Sequence, residues 1–258
     1  MNRLLPIVGA ALMLSGCSVK MVDSNAALQA GAAMVQAFTI TDDQVASLCK
    51  QYMAESDGQN TLLPASNAYT QRLTRIMGKF KNIKELNVNY AVYQSESVNA
   101  FASGDGSVRV YTGLMDVMTD DELFAVIGHE LGHLKNKDVR DAYRTNYMVV
   151  AARYGISAFS QTAGAISQGL LGDLGQALAS NAYSRKQEYE ADAAAYRYCV
   201  ANGVDPFAMY KALNVLMRLN GDSQMQSKVL QMFSTHPASA ERAARVKAMA
   251  EADGYKLK

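Results

Sequence analysis

Histidine is scarce in this chain of 258 residues, which contains only three, and tryptophan is absent. Two of the three histidines, His129 and His133, lie four residues apart in the sequence His-Glu-Leu-Gly-His. In a histidine-poor chain, this H-E-x-x-H pattern favours a metal site over chance occurrence. The alternative interpretation is two buried histidines that only form hydrogen bonds.

The chain also lacks a strong charge of either sign and long hydrophobic runs. Its formal net charge is +1, and the lysines are scattered, so composition provides no electrostatic argument for nucleic-acid binding. The apolar run at 4–14 is too short to span a bilayer comfortably. Internal repeats and low-complexity linkers are also missing. The length and the 49% hydrophobic content suffice for one substantial core and leave room for a smaller lobe. Without repeats or linkers, one domain after the targeting segment is the simplest prediction.

The N-terminus has the pattern of a targeting segment. Arg3 provides a positive start, residues 4–14 are apolar, and Leu-Ser-Gly-Cys follows directly, ending at Cys17. This ending resembles a bacterial lipobox, which implies cleavage before Cys17 and lipidation of that residue. An ordinary secretory signal with an incidental cysteine is the alternative. Ser18 after the cysteine resembles lipoproteins sorted to the outer membrane, so we expect a lipid-anchored protein facing the periplasm.

Two further cysteines, Cys49 and Cys199, lie in alanine-rich stretches that are predicted to be helical. In an oxidising compartment they can pair as a disulfide. Buried free thiols are equally ordinary in such stretches. The sequence leaves both alternatives open.

The H-E-x-x-H motif lies on a predicted helix with a defined start. Thr119 and Glu122 form a capping-box pattern. On this helix His129 and His133 are one turn apart on one face, close enough to bind a single ion. Glu130 projects from the adjacent surface, where it can serve a metal-bound water rather than the metal. A core-facing stripe follows the helical period: Leu123, Val126, Ile127 and Leu131.

The remaining pattern predicts an α+β fold, mainly helical, with a small β-sheet beside the active-site helix. Residues 1–16 are the expected signal peptide, 17–40 a tether and 41–258 one domain. Predicted strands lie at 88–93, 98–102 and 108–111, the last two joined by a turn at 104–106. Further helices are predicted at 41–56, 67–80, 181–201, 205–220, 224–232 and 238–252.

Residues 138–182 form an Ala/Gly/Ser/Gln-rich stretch, interpreted as a helical insertion near the cleft. Arg153, Asp173 and several glycines make it a poor membrane span. A lid or a membrane-apposed surface is one interpretation of this stretch. Simple helical packing is the other.

A catalytic zinc site needs a third protein ligand beyond two histidines. The predicted helix at 181–201 offers Glu188 and Asp192, which are four residues apart and share a face, whereas Glu190 points elsewhere. This arrangement allows Glu188 to bind the metal while Asp192 holds a ligand imidazole through its other nitrogen. The alternative is a solvated acidic stripe beside Arg185 and Lys186.

Three further motifs complete the pattern: His236-Pro237-x-x-x-x-Arg242, Asn99-Ala100-Phe101-Ala102 and Gly113-Leu114-Met115. Together with His129-Glu130-x-x-His133 and Glu188-x-x-x-Asp192, they resemble the HtpX/CAAX-prenyl-protease type of zinc metallopeptidase. The lipoprotein start brings the chain closest to the periplasmic, outer-membrane-anchored branch, the LoiP-type proteins. The resemblance covers essentially the whole mature chain.

The resemblance implies a zincin-like fold with one Zn²⁺ per chain, bound by His129, His133 and Glu188. Glu130 would be the general base, and Asp192 would orient a ligand imidazole, most simply that of His129. The metal-binding roles imply hydrolysis of a peptide bond by an activated water.

The resemblance also assigns roles around the metal. His236 and Arg242 match the late motif, and we expect catalytic roles for both. His236 would stabilise the oxyanion or occupy the fourth metal position in a latent state, and Arg242 would assist the oxyanion. Asn99, Ala100 and Phe101 would form an edge strand that pairs with substrate backbone.

The expected function is a zinc-dependent endopeptidase that cleaves unfolded or extended cell-envelope proteins. Outer-membrane proteins are the expected clients, in periplasmic quality control, with membrane contact through the lipid anchor. One alternative is a zinc-stabilised chaperone or scaffold lipoprotein with little proteolysis. A purely structural metal site is another, but such a site has no use for a base at Glu130.

Overall fold

The structure, a computed structural model, describes residues 42–81, 83–154, 168–179 and 182–257. The predicted signal peptide, the tether and Cys17 lie outside the described residues, as do positions 155–167 of the predicted helical insertion. The part that is described is mainly helical with one small sheet, which confirms the α+β prediction. Within it, no helix is both long and apolar enough to cross a lipid bilayer.

The elements follow the predicted order. The strands are β1 Asn89–Tyr93, β2 Ala100–Ala102 and β3 Ser107–Tyr111. The helices are α1 Asp42–Gln59, α2 Ala68–Met77, α3 Thr112–Val117, α4 Asp120–Lys135, α5 Asp138–Tyr154, α6 Gln168–Ala179, α7 Arg185–Asn202, α8 Ala208–Gly221, α9 Gln226–Thr235 and α10 Ala240–Ala252. A 3₁₀ turn at Lys84–Leu86 precedes β1. The short helix α3 was not predicted.

The three strands form a sheet in the order β1-β3-β2. β1 runs parallel to β3, whereas β2 and β3 form the antiparallel hairpin that the turn residues predicted. Gly106 closes the hairpin with a left-handed φ of +90° and donates its backbone N–H to the Ser103 carbonyl at 2.9 Å. A side chain at this position would be strained, which explains why glycine occupies it.

Capping side chains set the starts of the two helices that matter most for the site. The Thr119–Glu122 capping box is present at the start of α4, as predicted. A second box, Ser184 with Gln187, starts α7 at Arg185, several residues later than predicted. Glutamine at this position completes a capping box as glutamate does, so the Ser-x-x-Gln pattern marks the start of α7.

Helices α4 and α7 cross at very short distance because small residues line their contact. A Cβ atom on Gly132 would lie 2.9 Å from Ala194 Cβ and 3.0 Å from Ala191 Cα. At Gly128 it would lie 3.3 Å from Ala195 Cα. This close approach brings the acidic residues of α7 within reach of the histidines of α4.

Two hydrophobic clusters support the fold. The larger one surrounds α4, where Phe124 stacks on Phe80 with 3.9 Å between ring centroids, and it extends through α7, α8 and α10. The smaller cluster joins α1, α5 and α6 and consists of Val45, Cys49, Val139, Tyr143 and Leu174. The predicted insertion is therefore packed against α1 where the structure describes it.

The two cysteines do not form the disulfide that was considered. Cys49 is a free thiol in the smaller cluster, and Cys199 is a free thiol in the larger one. Burial raises the pKa of Cys49 to about 11 and that of Cys199 to about 12. The buried-thiol alternative is therefore the one that the structure supports.

Candidate active site

The two histidines of α4 project into the crossing with α7 and are almost completely buried. His129 is 3% exposed, and His133 is inaccessible. Their Nε2 atoms lie 3.1 Å apart, so the two imidazoles converge on one point. This is the arrangement that the i, i+4 spacing predicted.

Each of these imidazoles has a carboxylate on its other nitrogen. His129 Nδ1 lies 2.9 Å from Asp192 Oδ1, and His133 Nδ1 lies 2.8 Å from Asp138 Oδ2. A neutral imidazole that donates from Nδ1 has a bare lone pair on Nε2. Both lone pairs therefore point at the same space.

Glu188 enters this space from α7 and is 2% exposed. Its Oε1 lies 3.3 Å from His133 Nε2, and its Oε2 lies 3.7 Å from His129 Nε2. Burial by itself favours the neutral acid, but positive charge and N–H donors on the protonated forms of His129, His133 and His236 hold the pKa of Glu188 well below its ordinary value. A carboxylate is therefore the species that faces the imidazoles.

These atoms fit a metal ion. Donor atoms of His129, His133, Glu188 and His236 all lie within 4.8 Å of one another. Ligands of a tetrahedral zinc ion at its usual bond lengths are separated by about 3.3 Å, close to the spacings observed here. Two bare nitrogen lone pairs and a carboxylate repel one another, and a cation between them reverses that repulsion. His129, His133 and Glu188 would hold it.

His236 lies at the C-terminal end of α9, and its Nδ1 faces the same space. That atom is 3.2 Å from His129 Nε2 and 3.0 Å from Glu188 Oε1. His236 therefore supplies a fourth donor beside the three predicted ligands. Its other nitrogen, Nε2, lies 3.7 Å from Glu130 Oε1, so this ring separates the metal-binding atoms from the predicted base.

Arg242 lies behind the ligands rather than in the cleft. Its Nε and Nη2 donate to the two oxygens of Asp192 at 2.8 and 2.7 Å, and it also pairs with Glu188. Although burial raises the pKa of Asp192, hydrogen bonds from Arg242 and His129 outweigh this effect and lower it. The prediction that Arg242 assists the oxyanion is therefore corrected, because its guanidinium already pairs with Asp192 and Glu188. Arg242 is instead a positioning residue that holds these two carboxylates.

Glu130 follows His129 on α4 and is 2% exposed, yet it lines the cleft. Its Oε1 accepts no hydrogen bond from any residue that the structure describes. An unpartnered buried carboxylate oxygen is costly unless a ligand or water uses it. Its position beside the metal-binding atoms suits a proton acceptor.

Strand β2 forms an edge of the sheet beside this carboxylate. The Asn99 carbonyl accepts a hydrogen bond from Tyr111 N–H, and Ser103 N–H donates to the Ser107 carbonyl. Between them, Phe101 of β2 lies opposite Arg109 of β3. Backbone groups alternate along an antiparallel ladder, so those of Ala100 and Ala102 face outward. Among the described strands, none pairs with β2 on that side. The predicted edge strand is therefore present and open.

The cleft between this edge and the metal-binding atoms has about 740 Å³ of empty space, counted together with the open solvent at its mouth. Asn99, Phe101 and Ala102 line one wall. The opposite side comes from α1 and from the segment predicted as an insertion, through Tyr52, Ser56, Val139, Tyr143 and Leu178. The insertion is thus adjacent to the cleft where it is described.

Two residues of the site were absent from the sequence-based set. Asp138 holds His133 and follows Lys137, whose left-handed φ of +64° turns the chain back toward α4. Tyr183 stacks on His133 with 4.0 Å between ring centroids. Because ligand histidines generally donate to a carboxylate, a search for one near each histidine would have found Asp138. Nothing in the sequence marks Tyr183.

Comparison with known proteins adds an independent line of support. A family model described as peptidase family M48 matches residues 64–250. The metalloprotease LoiP of Escherichia coli strain K12 is 39% identical over 256 residues, which cover 99% of each chain. The metalloprotease YcaL of the same strain is 35% identical over 246 residues, 95% of each chain. The protease HtpX of Pasteurella multocida strain Pm70 is 30% identical over 199 residues. The resemblance that the motifs indicated is confirmed.

Proposed function

Because this chain belongs to peptidase family M48 and is a metalloprotease, we propose that its metal is Zn²⁺ and that it is an endopeptidase of unfolded or extended polypeptides. One observation carries this proposal: the open edge of β2 runs along the cleft into which Glu130 projects. A chain paired with that edge would pass Glu130 with residues on both sides, as cleavage of an internal bond requires.

Zinc is the ion we propose because two imidazoles and one carboxylate form a ligand set typical of catalytic zinc. When bound, Zn²⁺ supplies Lewis acidity and lowers the pKa of water in its open position. Asp192 and Asp138 keep the Nε2 lone pairs of the two ligand histidines directed inward. Arg242 holds Asp192 and Glu188 in place from behind.

Glu130 is the residue we assign to proton transfer. Its Oε1 would accept a proton from the attacking water and then deliver it to the departing amine. His236 Nε2, 3.7 Å from this oxygen, lies where it can donate to the oxyanion of the substrate carbonyl. In a latent state the same ring would instead use Nδ1 as the fourth ligand. The position of Nδ1, 3.2 Å from His129 Nε2, supports the second candidate function, a zinc-stabilised scaffold.

Substrate recognition through the backbone requires little of the side chains, which suits unfolded clients. The N-terminal pattern of Arg3, the apolar run at 4–14 and Cys17 supports an address on the periplasmic side of the outer membrane, anchored by lipid. We therefore propose envelope proteins, outer-membrane proteins among them, as substrates in quality control.

The activity is tested with casein as an unfolded substrate and a folded protein of similar size as a control. We expect zinc-dependent casein fragments whose new termini lie inside the chain, loss of cleavage with a chelator and recovery on addition of Zn²⁺. Release of terminal residues alone would contradict an endopeptidase. Failure of zinc-loaded protein to cleave casein would favour the scaffold alternative.

The address is tested separately by membrane fractionation and labelling with radioactive palmitate. We expect the full chain to incorporate label and to sediment with outer membranes. The Cys17→Ala variant should do neither. Label in the variant, or a soluble wild type, would contradict the lipid anchor without affecting the proteolytic assignment.

A further inference from the structure

The second ligand histidine is oriented by a hydrogen-bond chain that ends on the helix of the third ligand. His133 Nδ1 bonds to Asp138 Oδ2, and the other oxygen of Asp138 accepts from Gln187 Nε2 at 3.1 Å. Gln187 lies 49 residues after Asp138 in the sequence and directly precedes Glu188. The chain therefore links the end of α4 to the beginning of α7.

Gln187 uses both ends of its amide. Its Oε1 accepts from Ser184 N–H at 2.9 Å and from Ser184 Oγ at 2.8 Å, which caps α7. A backbone N–H can only donate, so this end must be the oxygen and the amide NH₂ must face Asp138. The orientation of the amide is thereby fixed by its two partners.

We propose that Gln187 is a positioning residue that couples the two helices of the metal site. Through the cap it fixes the first turn of α7, on which Glu188 lies, and through Asp138 it fixes the imidazole of His133. The amide of Gln187 thus fixes the position of His133 Nε2 relative to the Glu188 carboxylate. The inference takes zinc binding from the proposed function and adds a residue that sets its affinity.

The two functions of Gln187 have different chemical requirements, which makes them separable. A glutamate at this position also completes a capping box, since Ser-x-x-Glu is a favoured pattern. It has no N–H to donate, however, and would place a second carboxylate against Asp138. Gln187→Glu therefore keeps the cap and removes the link to His133.

An exchange of the two groups should restore the link. In the double variant Gln187→Glu with Asp138→Asn, the new amide at 138 can donate to the glutamate and still accept from His133 Nδ1. The total charge of the pair is unchanged. A residue that only stabilises α7 would show no such recovery.

The experiment measures Zn²⁺ affinity by competition with a chromogenic chelator, together with far-UV circular dichroism. Loss of a group that bonds directly to a ligand histidine weakens metal binding by about 10–100-fold. Because Gln187 acts through Asp138, we expect Gln187→Glu to weaken Zn²⁺ binding by about 10-fold, the lower end of this range. The double variant should return to within a few-fold of wild type. Lys186→Gln is the matched control, because it makes the same change of charge one residue away at an exposed site.

The inference would be overturned if Gln187→Glu bound Zn²⁺ with wild-type affinity. It would also be overturned if the losses of Zn²⁺ binding free energy in Gln187→Glu and Asp138→Asn simply added in the double variant. If Gln187→Glu does not fold, the double variant decides alone: folding with near-normal affinity supports the link, and failure to fold contradicts it. Absence of Zn²⁺ binding by the wild type would instead contradict the proposed function.

Discussion

Two polar clusters in this molecule, one partly exposed and one buried, differ in how their atoms are matched. At the end of α1, Asp57 accepts from Arg109 Nε and Nη2, each at 2.8 Å, and from Tyr93 Oη. The remaining nitrogen of Arg109 donates to Asn89 and to the Val108 carbonyl. Each nitrogen of the guanidinium thus meets an oxygen.

At the metal-binding site, acceptors face acceptors. The Nε2 atoms of His129 and His133 lie 3.1 Å apart, the Glu188 carboxylate faces both, and Glu130 Oε1 accepts no hydrogen bond from the described residues. The first cluster is complete without a ligand, whereas the second is balanced only by a cation and a water. Matched donors and acceptors therefore distinguish a structural ion pair from a site that binds a ligand.

The largest expected effect concerns the unpartnered carboxylate. We predict that Glu130→Gln retains bound Zn²⁺ but lowers peptide turnover by about 10³-fold, since general acid–base catalysis is worth about 10²–10⁴-fold. Turnover of a fluorogenic peptide and metal content by mass spectrometry check this. Asp57→Asn, in the complete cluster, should leave kcat unchanged. Robust cleavage by metal-loaded Glu130→Gln protein would refute the role.

A second prediction tests the helix crossing that assembles the metal site. A methyl group on Gly132 would meet Ala194 Cβ at 2.9 Å and Ala191 Cα at 3.0 Å, so Gly132→Ala must separate α4 from α7. We expect a loss of about 1–3 kcal/mol in the free energy of unfolding, together with weaker zinc binding.

Chemical denaturation and metal competition measure the Gly132 effects. Gly172→Ala, at an exposed position with nothing within 4 Å of the added atom, is the control and should not destabilise. Normal zinc affinity in Gly132→Ala would show that the crossing tolerates separation.

A third prediction removes one half of the complete cluster. Asp57→Ala leaves the buried Arg109 guanidinium without its carboxylate, and we expect about 1–2 kcal/mol lower stability, because Asp57 is partly exposed. Urea denaturation provides the measurement. Glu96→Ala, which breaks an exposed pair with Lys228, should change little. An equal loss of stability in Asp57→Ala and Glu96→Ala would show that the pair of Asp57 with the buried Arg109 is worth no more than an exposed ion pair.

The same pair predicts a pH dependence. Hydrogen bonds from Arg109 lower the pKa of Asp57, so its contribution is fully present above the unfolded value of about 3.9 and is lost as pH falls through the folded value. The difference in Tm between wild type and Asp57→Asn should therefore be constant from pH 7 to about pH 5. It should narrow below about pH 4. A difference in Tm that grows as the pH falls would contradict the lowered pKa of Asp57.

The smallest expected effect concerns the cysteines. Because Cys49 and Cys199 are separate buried thiols with raised pKa values, a reductant should not change Tm. Alkylation at pH 8 should be slow in the folded protein and rapid in denaturant. A reductant-dependent fall in Tm would reveal a bridge between them.

Local pattern predicted the parts of the site that lie on one element. The Thr119–Glu122 cap, the shared face of His129 and His133, and the hairpin turn at 104–106 all depend on residues close in sequence. The shared face of Glu188 and Asp192 follows from the same helical period. Helix α3 was missed because its six residues offer no full period to recognise.

The sequence by itself determined which elements form and which side chains share a face, because helical period, caps and turn chemistry act over a few residues. Tertiary structure alone decided the hydrogen-bond partners across elements: Asp138 with Gln187, Asp192 with Arg242, and His236 with Glu188. These pairings depend on how closely α4 and α7 pack and where the chain turns afterward. Contacts between residues about fifty positions apart leave no periodic trace in a single sequence.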